Sequence, residues 1–154
     1  MLPKGILEPG SVSIADPASS KKRILEQAAR LLAGTADEPD PEQIFERLLE
    51  RERLGSTGLA GGVALPHARM PGIDESRGAF LQLAEAVEFD ALDGSPVDLV
   101  FALLVPENAN EEHLQLLARL AAMFNDEELR RRLREAEAEE AMAILTGKSS
   151  THAA

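Results

Sequence analysis

The sequence predicts an α/β layered domain, and three observations predict it. Segments with helical spacing of apolar residues stand before and after a central block of strand-like runs. The most apolar of those runs, Val97 to Val105, is too short to cross a bilayer and suits a buried strand. The chain has 154 residues, 44% of them hydrophobic, which suits one unit with a real core and at most short tails.

The first residues, through Ala18, carry three prolines and little periodicity, with Val12 and Ile14 fit for a short strand. Ser19 or Ser20 then caps a helix whose apolar face is Ile24, Leu25, Ala28, Leu31 and Leu32, ended by Gly34. Asp40 opens a second helix with Pro41 in its first position and Gln43 three residues beyond the cap. Its stripe is Ile44, Phe45, Leu48 and Leu49, and it runs to about Arg53.

Four glycines among residues 55–62 argue against regular structure until Val63-Ala64-Leu65, a strand stopped by Pro66. Strand-like runs follow at Ala79 to Leu83 and Val87 to Phe89, then a turn at Asp93-Gly94 before Val97. Asn110 can cap a third helix with stripe His113, Leu116, Leu117, Leu120 and Phe124. Asn125 opens a fourth, and Glu137 to Thr146 forms a fifth closed by Gly147. Residues 148–154 read as a frayed tail. The strand order does not follow from any of this.

Composition excludes several chemistries. Without cysteine there is no disulfide framework, thiolate metal site or cysteine nucleophile. A net charge of −11 disfavours nucleic acid and anionic membrane surfaces, and the lack of tryptophan and tyrosine disfavours stacking platforms. With no signal-peptide pattern at the N-terminus and no membrane span, a cytoplasmic setting is expected. The glycine segment matches neither nucleotide-binding fingerprint, GxSxG is absent, and the histidines lack metal-ligand spacing, so neither cofactor nor metal is expected.

Three histidines remain, of which His152 lies in the terminal tail and is expected to be inert. His67 follows an apolar run and a stiffening proline, which places its ring at the carboxyl end of a strand. A nucleophilic imidazole needs exposure, a fixed tautomer and donors for an incoming anion; an ordinary loop histidine has the same sequence context. His113 sits near the third position of its helix, on the apolar stripe, where a satisfied core histidine is the simpler reading. The positive helix end would keep its ring neutral, and free amides in that turn favour an anion. Arg51 falls on the inward face of the second helix, either as a snorkelling stem or as a charge held for an anion, while Arg47 and Arg53 read as solvated.

The segment GSTGLAGGVALPHAR (residues 55–69), preceded by Arg51-Glu52-Arg53, resembles the active-site segment of enzyme IIA of the fructose/mannitol class of the bacterial phosphoenolpyruvate-dependent phosphotransferase system. PVDLVFALLVPENANEEHLQLLARLA (residues 96–121) resembles that family's strand, loop and helix bearing a second histidine. The likeness spans residues 6–147, leaving 1–5 and 148–154 as tails. SKKRILEQ, RERLGSTG and FALLVPENANEEHL place it nearest the nitrogen-regulatory branch.

The resemblance implies a mixed β-sheet sandwiched by helices. It implies that His67 takes a phosphoryl group on Nε2 from the phosphohistidine of a small carrier protein. His113 and Arg51 then support the transfer, and the hydroxyls of Ser56 and Thr57 help to hold the phosphate. Ala68 stands where that family commonly has glycine. Docking of the carrier calls for an apolar rim, for which Leu59, Met70 and Ile73 are candidates. The function expected is regulatory, through partners that read the phosphorylation state, such as potassium-transport or sensor-kinase proteins. The alternative is a sugar-transport role passing phosphate to a separate fructose or hexitol IIB subunit. A binding module that has lost the chemistry fits less well, because Arg51, His67 and His113 are all present.

Overall fold

A computed structural model describes residues 2–3, 5–109 and 111–147, with Glu112 taken without its side chain. The chain runs β1 (Leu7–Asp16), α1 (Lys21–Ala33), α2 (Pro41–Leu54), β2 (Val63–Ala64), β3 (His67–Met70), β4 (Arg77–Val87), β5 (Val97–Pro106), α3 (Glu111–Phe124), α4 (Glu127–Glu135) and α5 (Ala138–Thr146). The sheet order is β1-β4-β5-β2, with β3 also on β5. Among the described strands only the β4–β5 pair is antiparallel, so the sheet is mixed, as the family resemblance implies.

β5 explains the sandwich. Its side chains alternate, Leu99, Phe101, Leu103 and Val105 packing with α3, α4 and α5, while Val100, Ala102 and Leu104 pack with α1 and α2. A strand covered on both faces reads as a continuous apolar run, which is why periodicity in the sequence could not assign its faces.

The other edge corrects the sequence reading in a way that matters for the site. Pro66 does not end the strand. Val63 pairs with Leu99 and His67 with Leu103 in one unbroken register, so β2 and β3 are two parts of a single edge strand interrupted at Leu65-Pro66. The proline lacks a donor, yet its carbonyl still accepts the Leu103 amide at 2.9 Å, and an edge position tolerates the missing bond.

Helix starts follow their caps. Ser20 accepts the Arg23 amide, and Asp40 and Gln43 form the complete capping box. α4 begins one residue later than expected: Asp126, not Asn125, takes the amides of Glu128 and Leu129, since its carboxylate is the stronger acceptor beside a helix start. The two runs 79–83 and 87–89 belong to one long strand and its exit: 79–83 lies inside β4, Val87 is its last residue, and Phe89 follows its end, fully buried under α1 and α2. β1 is ten residues long rather than a short strand about Val12 and Ile14, because its parallel partner β4 supplies a ladder that local sequence does not reveal. Leu2 is also not loose: it is buried in the core and its amide donates to Leu145 O at 3.2 Å. Asn110 as a cap, His152 and residues 148–154 lie outside the described residues. Among the described residues no helix is long and apolar enough to cross a membrane.

Candidate functional site

The edge strand delivers His67. Its register partner Leu103 belongs to the face covered by α3, so the His67 ring stands on that face at the first position of β3, rather than in a loop past a strand end. The interruption at Leu65-Pro66 leaves the Leu65 carbonyl free of the β5 ladder, and it turns back to His67 Nδ1 at 2.8 Å. A carbonyl only accepts, so the bond puts the ring proton on Nδ1 and leaves the lone pair on Nε2. Burial holds the His67 pKa below its ordinary 6.5; the Leu65 bond opposes this, Arg51 adds to the lowering and Glu52 counters it.

α3 brings His113 to meet it, with ring centroids 5.5 Å apart and planes tilted by 51°. His113 is 8% exposed, and its Nδ1 is buried without a partner among the described residues. A bare lone pair is the cheaper state for such an atom, which places the proton on Nε2 as a donor. Its pKa is also lowered, by burial first and then by His67, Arg69 and Arg51. The shift runs in the direction expected from the helix end, with burial as its main cause.

Both rings line a cavity of about 510 Å³ whose other walls are Arg47, Glu50, Arg51, Leu54, Ala68 and Arg69. Three guanidinium groups against one carboxylate make a cationic hollow in a chain of net charge −11. Arg51 sits in the last turn of α2 and anchors through Nη1 to Gly55 O at 2.9 Å. Arg69 ties the β5–α3 loop to β3 through the carbonyls of Glu107 and Ala109. Arg47, expected to be solvated, is half-buried in the cavity wall, one turn of α2 before Arg51. Arrayed in this way, fork-shaped cations and neutral donors suit a phosphoryl group and its equatorial charge.

Ser56 and Thr57 do not join this group. Ser56 Oγ donates to Phe89 O at 2.6 Å, and Thr57 Oγ1 donates to Glu52 Oε2 at 2.7 Å, so both hydroxyl protons serve the fold. The expected rim also differs. Met70 and Ile73 are core residues and Leu59 is half-buried, whereas Leu54 is 85% exposed in the cavity wall and Leu114, 67% exposed, follows His113. The sequence reading missed Arg69 and the buried Glu52. Glu52 had a signal: it continues the apolar spacing of Ile44 and Leu48 by one further turn.

The lowered pKa values carry a sign. The unfolded chain takes up protons at both histidines before the folded one does, so their contribution to stability falls as pH drops below 6.5. For the same reason the nucleophilic form of His67 persists below pH 6.5. Imidazole titration by nuclear magnetic resonance should place both midpoints below that of a free histidine; a midpoint at or above 6.5 for His67 would contradict this account of its environment.

Residues 5–148 match the family model "Phosphoenolpyruvate-dependent sugar phosphotransferase system, EIIA 2". A nitrogen regulatory protein of Pseudomonas aeruginosa is 52% identical over 137 residues, which are 89% of each chain. One from Escherichia coli is 42% identical over 135 residues, covering 86% of this chain and 82% of that one. The crystal structure of nitrogen regulatory protein IIA-Ntr from Neisseria meningitidis superposes with a TM-score of 0.86 at 45% identity, covering 91% of this chain and 96% of that one.

Proposed function

The chain belongs to the EIIA 2 family of the phosphoenolpyruvate-dependent sugar phosphotransferase system, and from that membership we propose that His67 Nε2 accepts a phosphoryl group from the phosphohistidine of a small carrier protein. The observation that carries this reading is the Nδ1 bond to Leu65 O, which leaves Nε2 as the lone pair of a ring in an arginine-walled cavity.

In the proposed step the Nε2 lone pair forms the new N–P bond as the carrier's N–P bond breaks. That electron pair leaves with the carrier ring, which departs neutral because its other nitrogen holds a proton. His67 keeps its own proton on Nδ1, so the phosphorylated ring is cationic, and the Leu65 carbonyl stabilises that charge. Arg51 and the His113 Nε2 proton meet the charge on the equatorial oxygens. One N–P bond replaces another, so the transfer is readily reversed. The carrier docks its ring over the cavity, with Leu54 and Leu114 as the apolar contacts on this side.

The likeness to nitrogen regulatory proteins favours a regulatory role, in which partner proteins read the dianion at His67. The test is a mixture of the protein with phosphoenolpyruvate, enzyme I and the small carrier. Intact mass should rise by one phosphoryl group, and the modified protein should pass little of it to fructose or hexitol IIB subunits. No gain in mass with active upstream components contradicts the carrier reading; rapid onward transfer to a sugar IIB replaces the regulatory reading with the transport one.

A further inference from the structure

Glu52 is 7% exposed, and burying a carboxylate is costly unless both oxygens are met. Here they are. Oε1 takes the Thr57 amide at 2.7 Å and the Lys21 ammonium at 3.1 Å, and Oε2 takes the Thr57 hydroxyl at 2.7 Å. Lys21 itself stands 4.7 Å from the centre of the Phe89 ring.

The bonds continue beyond Thr57. Its carbonyl accepts the Leu65 amide at 3.0 Å, and Leu65's carbonyl is the acceptor for His67 Nδ1. Between them Gly58 pairs antiparallel with Ala64, and the Leu59 amide donates to Val63 O at 2.7 Å. Residues 57–65 thus form a narrow hairpin. Glu52 grips the outer arm, and the inner arm presents the carbonyl that sets the His67 tautomer.

We infer that Glu52, paired with Lys21, is a positioning residue for His67, acting through Thr57 and the Leu65 carbonyl to fix which ring nitrogen is free and where it points. A carboxylate fits this task because its two oxygens meet the amide and the hydroxyl of the same residue separately while its charge pairs with Lys21, whereas an amide side chain would turn its NH2 donor toward one of those donors. Its charge acts in a second way. It holds the pKa of His67 up against burial, so its removal should drive the His67 titration to lower pH.

The consequence for rate rests on the reading of His67 as phosphoryl acceptor, but the tautomer is measured on unphosphorylated protein. Long-range proton–nitrogen spectra of the imidazoles should show wild-type His67 protonated on Nδ1 and bare on Nε2. In Glu52→Gln, and in Thr57→Val, which removes a single hydroxyl, the Nε2-protonated form should grow. Phosphoryl uptake from the carrier should slow by about tenfold or more. Circular dichroism identifies the folded variants, and Thr57→Val carries the test if Glu52→Gln fails to fold. Folded variants with the wild-type ring spectrum overturn the inference, even if their transfer is slow. A shifted ring spectrum together with a wild-type protein that takes no phosphoryl group supports the positioning role and overturns the proposed function instead.

Discussion

His67→Ala is expected to end phosphoryl acceptance: with phosphoenolpyruvate, enzyme I and the carrier present, its mass should stay constant while the wild-type protein should gain one phosphoryl group. Transfer needs a lone pair in line with the bond being broken, and among the described residues only His67 has its free nitrogen selected by a fixed backbone acceptor. His113 lies 5.5 Å away between ring centroids, with a buried Nδ1 and its proton on Nε2, so it is a donor rather than a substitute nucleophile. His113→Ala should therefore keep acceptance but slow it by about 10²–10³-fold, the usual cost of one lost charge-stabilising donor. Because the His67 side chain spans an edge rather than the core, His67→Ala should keep the wild-type circular dichroism spectrum. Phosphoryl uptake by that variant would move the nucleophile elsewhere.

The largest loss of stability is expected at Phe101. Its ring is fully buried at the centre of β5, 6.1 Å from the Phe124 ring of α3. It also fills the space over Gly78 of β4, where an added Cβ would come within 2.7 Å of the ring. Phe101→Ala removes a ring packed against both α3 and β4, and such truncations cost about 3–5 kcal/mol. Against a typical total of about 5–15 kcal/mol, that brings the domain close to its limit. Urea denaturation measures it, as a lower midpoint at an unchanged slope. A loss under about 1 kcal/mol would mean that the surrounding side chains close over the gap and that the ring is not what holds α3 in place. Since α3 carries His113, the same packing underlies the site.

Much of this was legible because it is local. Asp40-Pro41 with Gln43 writes a capping box whatever surrounds it, and Ser20 and Gly34 bracket α1 for similar reasons. His67, His113 and Arg51 stood out because few residues of those types occupy such positions, and the resemblance of whole segments joined them into one site. Properties made by distant contacts were hidden. Nothing near Val12 announces that Leu7–Asp16 lies parallel to a strand some seventy residues on. Pro66 looked like a stop because its own amide is missing, whereas the strand is continued by carbonyl bonds and by β5. Ser56 and Thr57 looked like phosphate donors until Phe89 and Glu52 were seen to hold their protons. Glu52, between two arginines, was not singled out in the sequence; its buried charge is met by Lys21, thirty-one positions earlier.

On the proposed reading the Leu65 carbonyl selects Nε2 of His67 as the nucleophile. The measurement that reaches this selection most directly is phosphorylation of uniformly nitrogen-15-labelled protein through the carrier, followed by nitrogen–phosphorus couplings of the modified ring. Phosphorus should appear on Nε2 of His67 with the Nδ1 proton still in place. Phosphorus on Nδ1, or on any other residue, contradicts it.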